Sequence, residues 1–195
     1  MLIIGMCGKM CAGKDTLADQ LIYKNIVDMK FSFADPLKEF ADAIFGTNRY
    51  IKDRSTRAVY QKFGKACVQI SQEVFGHTQC WTKLLVQRIK EYHGKGVVIS
   101  DVRFPYEVKS IKNLGGIIVF LSPDDDIRRE RIKNVYHYSD EEIDQFAHHV
   151  SETAVDECFH MMAENGFSFY NFANNTPGGL ELIVKVLERS FRNAE

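Results

Sequence analysis

The chain lacks any long apolar run, and no segment has the length and hydrophobicity of a bilayer-spanning helix. It lacks a charge excess as well: its acidic and basic side chains nearly cancel to a formal charge of -1, which argues against a nucleic-acid or anionic-membrane partner. Paired cysteines are missing. The five present (Cys7, Cys11, Cys67, Cys80 and Cys158) are odd in number and scattered, so they read as reduced thiols of a cytoplasmic protein. Cys7 and Cys11 have no partners at zinc spacing and are expected to be packing residues. Internal repeats and low-complexity tracts are also absent. The 195 residues therefore suit one α/β domain over 1–195, as a monomer or homodimer. The N-terminal apolar run meets a loop motif too soon to act as a signal peptide.

That motif is the most informative part of the chain. Gly8-Lys9-Met10-Cys11-Ala12-Gly13-Lys14-Asp15-Thr16 has the spacing of a phosphate-binding P-loop, with Asp15 where Ser or Thr is usual. An apolar run (Leu2, Ile3, Ile4, Met6) precedes it and a helical pattern (Leu17, Ala18, Leu21, Ile22) follows, the strand-loop-helix setting that the motif requires. Glycines let successive N–H groups turn inward, and the helix start adds unpaired donors. Gly8, Lys9, Ala12, Gly13, Asp15 and Thr16 then line an anion cradle, from which Lys14 extends along a bound polyphosphate.

Strand-like runs recur at Leu2–Met6, Met29–Ala34, Val97–Ser100, Ile117–Leu121 and Phe167–Phe172, with helical patterns between them. This alternation predicts a mainly parallel sheet covered by helices. Lys30 and Ser32 alternate with Met29, Phe31 and Phe33, which predicts an outer strand. Asp35 is expected to cap a helix with Pro36 at its first position, and Gly46 to end it. Leu180, Ile183, Val184 and Leu187 mark a last helix. Between Pro123 and Asp144 charge is dense and apolar residues are few, so the segment is expected to be exposed and mobile.

Four constellations could complete a phosphoryl-transfer site. The strand Val97-Val98-Ile99-Ser100 ends in Asp101, placed to hold hydrated magnesium at the sheet's carboxyl edge, and Arg103 stands two residues on. Arg54 and Arg57, beside Lys52, are one helical turn apart; they suit a phosphate clamp and a solvated surface equally well. Arg128 and Arg131 share a face of the charged segment, as in a lid that carries arginines over phosphates. In His148-His149-Val150-Ser151-Glu152 the adjacent histidines do not share a helix face, so a cap or loop anchor is expected in preference to a metal site or catalytic base. Trp81, followed by Leu84 and Leu85, reads as core.

In these residues the chain resembles the bacteriophage-type deoxynucleoside monophosphate kinases, of the P-loop nucleoside monophosphate kinase group. The likeness rests on Gly13-Lys14-Asp15-Thr16, Phe33-Ala34-Asp35-Pro36-Leu37-Lys38, Gln61 with Phe63-Gly64, and Asp101-Val102-Arg103-Phe104-Pro105. It continues through Gly115-Gly116, His149 with Ser151 and Glu152, and the Asn174, Asn175, Gly178 turn; Tyr106 departs from it, where Asn is expected. The Asp after the P-loop lysine is a habit of that family. The resemblance implies a three-layer P-loop fold with a five-stranded parallel sheet of order 2-3-1-4-5, ATP and Mg2+ as cofactors, and a nucleoside monophosphate as acceptor. It places Asp35, Lys38, Arg54, Arg57, Gln61 and Arg103 on the acceptor side, within a region of about 35–90, and the lid at about 124–147. Asp15, Thr16 and Asp101 would serve the metal through water. A phosphomevalonate kinase-like enzyme, similar in its Gly-Lys-Asp loop and its Pro36-to-Glu39 helix start, is an alternative reading, and a non-catalytic ATP-binding module is another.

Overall fold

The structure, a computed structural model, describes residues 1–51 and 53–192, without the side chains of Arg54 and Arg192. Five strands, β1 (Leu2–Cys7), β2 (Met29–Phe31), β3 (Gly96–Val102), β4 (Ile117–Leu121) and β5 (Phe169–Phe172), form one sheet of order β2-β3-β1-β4-β5. β1 pairs in parallel with β3 and β4, and β4 pairs in parallel with β5. The helices are α1 (Lys14–Tyr23), α2 (Asp35–Phe45), α3 (Arg54–Phe75), α4 (Cys80–Glu91), α5 (Pro105–Asn113), α6 (Asp125–Tyr136), α7 (Asp140–Ala147), α8 (Val150–Glu164) and α9 (Gly179–Arg192). This is the expected P-loop architecture, with the strand predicted to be outermost at the edge.

Side-chain alternation along β1 makes the layers. Ile4 and Met6 pack with Leu17 and Leu21 of α1 and Ile183, Val184 and Leu187 of α9. On the opposite face lie α5 and α8: a Cβ at Gly5 would stand 2.5 Å from Cδ1 of Ile111, and Phe120 packs against Phe159 with ring centroids 5.2 Å apart. Each fully buried Leu or Ile contributes roughly 1.5–3 kcal/mol. The core thereby fixes where the carboxyl ends of β1 and β3 point. Because Cys7 is in register with Val102, Asp101 and the loop after β1 emerge at the same sheet edge.

The chain divides into two compact units, residues 31–93 and the remainder. In the smaller unit, Asp53 caps α3 by accepting the Thr56 N–H at 2.6 Å. Trp81 packs against Phe40 and Phe63 but is only half-buried, so it lies at the margin of this unit and not in its core.

Several boundaries differ from expectation. β2 stops at Phe31 because the Ser32 N–H donates to Asp35 Oδ2 (2.7 Å) and the Ala34 N–H to Ser32 Oγ (3.1 Å), which makes a turn in place of a strand. Asp35 therefore lies inside α2 and its carboxylate reaches backward, while Ala34 is the capping residue. β5 begins only at Phe169, since Gly166 adopts φ 63° and the Phe167 N–H still bonds Met162 O at the end of α8. The 124–147 segment is not merely an exposed excursion. It forms α6 and α7, whose Ile132 and Ile143 bury against Met10 of the loop.

Gly8 combines φ 149° with a close approach: an added Cβ would lie 2.5 Å from the Leu121 carbonyl oxygen. Gly8→Ala should lower stability by about 2–4 kcal/mol, from backbone strain plus overpacking, measured as a shift of the denaturant midpoint.

Candidate active site

β1 ends at the sheet edge and α1 begins at Lys14, so residues 8–13 must reverse direction in one tight loop. Gly13 (φ 100°) and Cys11 (φ 60°) supply the left-handed turns. The Lys14 ammonium is the loop's internal tie. It donates to Gly8 O at 2.6 Å and Lys9 O at 2.7 Å and is only 7% exposed. Burial, reinforced by the Arg103 guanidinium, lowers its pKa to about 8.

A second set of polar contacts surrounds the loop. Glu152, 1% exposed, accepts the Met10 N–H at 3.0 and 3.3 Å and Arg103 Nη1 at 3.1 Å. Arg103 also donates to Ser151 Oγ at 3.1 Å. His149 caps α8 by accepting the Ser151 N–H. Arg128 is 6% exposed, bonds Asp125 at 2.6 Å, and has Nη1 3.7 Å from Glu152. It is thus a buried, doubly paired arginine, where a residue of an exposed, mobile segment was expected. Arg131 donates to Asn174 O at 2.7 Å, and among the described residues its buried Nη1 finds no partner.

Between α1, α6, α9 and the 174–178 turn lies a cavity of about 800 Å3, lined by Gly13, Lys14, Asp15, Thr16 and Arg131 among others. Its size suits a nucleotide. The fit extends to the loop itself: Asn174, 3% exposed, donates from Nδ2 to Ala12 O at 3.0 Å, and a Cβ on Gly13 would come within 2.6 Å of that amide. Of the expected nucleotide residues, Gly13 to Thr16 line the cavity, whereas Gly8, Lys9 and Ala12 shape the loop behind it. Glu152 is the loop anchor expected of the 148–152 segment, whereas Asn174 was expected only as part of the turn before the last helix. Gln20, whose buried Oε1 is also unpartnered among the described residues, was not singled out at all.

Asp15 and Thr16 are exposed and Asp101 is half-buried. Partial desolvation works against ionisation of Asp15, but the Lys30 ammonium 3.0 Å away prevails and holds its pKa below the usual range. Among the described residues no cluster of three His, Cys, Asp or Glu could cage a metal by itself. A hydrated ion shared with phosphates is the kind of metal that this donor set fits. In the smaller unit, Asp35 and Lys38 are half-buried and Arg57 and Gln61 exposed; Arg57 lies in the first turn of α3. Lys52 and the Arg54 side chain lie outside the described residues.

No protein-family model matches the sequence, and no curated protein matches it. Solved structures do. The chain is similar to the shikimate kinase of Bacteroides thetaiotaomicron, with TM-score 0.55 and 16% identity over 98% of both chains. It is also similar to the shikimate kinase of Acinetobacter baumannii in complex with shikimate, with TM-score 0.52 and 13% identity over 99% of this chain and 94% of that one. The enzyme of Aquifex aeolicus matches with TM-score 0.53 and 15% identity, over 99% and 98%. At these identities the likeness shows the fold alone, which the chain shares with these shikimate kinases.

The Lys14 pKa generates a pH prediction. In the free protein the ammonium is present below pH 8 and lost above it, and a bound polyphosphate stabilises the charged form. Binding at pH 8.5 should therefore take up protons, and affinity should fall as pH rises through about 8. Calorimetry in two buffers of different ionisation enthalpy measures the uptake; binding with no proton exchange would contradict the site. Glu107 is the mirror case. It accepts the Arg103 N–H (2.8 Å) and Phe104 N–H (3.1 Å), and burial aided by Asp101 raises its pKa to about 8. Its raised pKa stabilises the fold at low pH, and that stability is lost as pH climbs from the ordinary carboxyl range through 8. Glu107→Gln should flatten the pH dependence of the melting temperature over that range.

Proposed function

We propose that the protein transfers the terminal phosphoryl group of ATP to a (deoxy)nucleoside monophosphate, giving the diphosphate. The observation that carries this reading is the Lys14 ammonium, fixed by two loop carbonyls at the floor of a nucleotide-sized cavity that Arg131 also lines. Lys14 would move from the Gly8 and Lys9 carbonyls to the β- and γ-phosphates, and the loop amides with Thr16 would hold the donor. Arg131 and Arg128 would neutralise charge developing on the transferred group, from a lid spanning about 124–147. Asp15, Thr16 and Asp101 would hold hydrated Mg2+, whose contribution is to offset phosphate charge. Asp35, Lys38, Arg54, Arg57, Gln61 and Arg103 would bind the acceptor. Residues 31–93 carry more basic than acidic side chains, which suits an anionic acceptor. A phosphate monoester has a second pKa of about 6 and arrives mostly as the dianion, so its oxygen attacks without a general base.

The test is coupled ADP release with a panel of ribo- and deoxyribonucleoside monophosphates, mevalonate phosphate and shikimate. Turnover is expected on at least one nucleoside monophosphate, and Lys14→Ala should lower kcat by about 10²–10³-fold or more. Turnover confined to mevalonate phosphate or shikimate would replace the nucleotide acceptor, and ATP binding without turnover on any acceptor would favour a binding module.

A further inference from the structure

Glu152 is nearly fully enclosed, yet among the described residues each group that meets its carboxylate is of a kind that binds phosphate. Its oxygens take the Met10 N–H of the loop, Arg103 Nη1 at 3.1 Å, and the Arg128 guanidinium at 3.7 Å. Burying one carboxylate is costly unless cations and donors compensate it. Here they are a loop amide and two arginines, groups that the proposed function assigns to phosphate.

The contacts are unequal. Met10 and Arg103 lie within hydrogen-bond distance, whereas the Arg128 contact is too long for one. Arg128 has a second acid, Asp125, whose side chain is 66% exposed and sits on the same helix. One guanidinium is thus shared between two carboxylates and held weakly by the buried one.

We propose that Glu152 is an internal stand-in for phosphate: it keeps Arg103 and Arg128 aligned on the P-loop in the nucleotide-free protein and releases Arg128 when a polyphosphate enters. It is a positioning residue that competes with the ligand whose site it prepares. The proposal rests on the reading of this loop as a polyphosphate site. It predicts an unusual sign. Removing the charge should tighten anion binding, because a competing anion is gone, and slow turnover, because the arginines are no longer aligned. An ordinary structural anchor would weaken binding and lower the melting temperature.

Calorimetric titration of inorganic tripolyphosphate into the wild-type chain and Glu152→Gln tests this, since the glutamine carbonyl still accepts the Met10 N–H. The variant should bind about tenfold more tightly, a difference of about 1.4 kcal/mol, and show kcat and KM for ATP falling together. Equal or weaker binding by the variant overturns the proposal alone. No binding by the wild type overturns the polyphosphate reading beneath it, and the proposal with it. Should the variant not fold, side-chain 15N resonances of arginine in the wild type replace it. Tripolyphosphate should shift those of Arg128 in step with saturation, and resonances that stay put at saturation refute the release.

Discussion

The glycine loop after β1 is built around one enclosed ammonium group. Lys14 is drawn out of water, and two backbone carbonyls 2.6 and 2.7 Å away hold it there. Hydrogen bonds to a charged group stabilise by about 1.5–3 kcal/mol each, which offsets part of its desolvation but not all. The lowered pKa expresses the remainder. Under the proposed function a bound polyphosphate would restore the full charge of the lysine.

The surroundings follow from that constraint. The carbonyls of Gly8 and Lys9 can face the ammonium only if the loop turns tightly, which Gly8 and Gly13 allow and which Asn174 secures through its bond to Ala12 O. Cations crowd the same edge, with Arg103 lowering the Lys14 pKa and Glu152 raising it. The buried carboxylate is therefore a balancing charge as well as an anchor. The core of Met10, Ile132 and Ile143 then ties the arginine-bearing α6 to the loop, so the charged segment has a fixed base.

What could be read in the sequence was what is local. The P-loop is contiguous and flanked by a strand pattern and a helix pattern, and runs such as Ile117 to Leu121 declare buried strands by their apolarity alone. Gly46 ended its helix where expected, in the left-handed conformation. Boundaries failed where a side chain competes for backbone groups, as Asp35 and Ser32 do at the end of β2. The support of the loop was hidden for a different reason: Glu152 meets Met10 across 142 positions and Asn174 meets Ala12 across 162. A single acid in the first turn of a helix has no periodic signal and looks like one more favourable dipole partner. The 148–152 segment read as a cap or loop anchor and Asn174 as part of the turn before α9, but nothing local named Met10 or Ala12 as the partner. Arg128 shows the opposite error, since dense surrounding charge read as solvation while the side chain itself is buried.

Cys11 can report whether a nucleotide enters this loop. It lines the cavity beside Lys14, and burial raises its pKa against the pull of that lysine and of Arg128 and Arg131, so alkylation should be slow but observable at alkaline pH. The rate of iodoacetamide labelling at Cys11, followed by mass spectrometry with and without MgATP, reports occupancy of the loop. Saturating MgATP should slow labelling by about tenfold or more, the effect of occupancy at many times Kd. Labelling of Cys11 at the same rate in free protein and at saturating MgATP would contradict it.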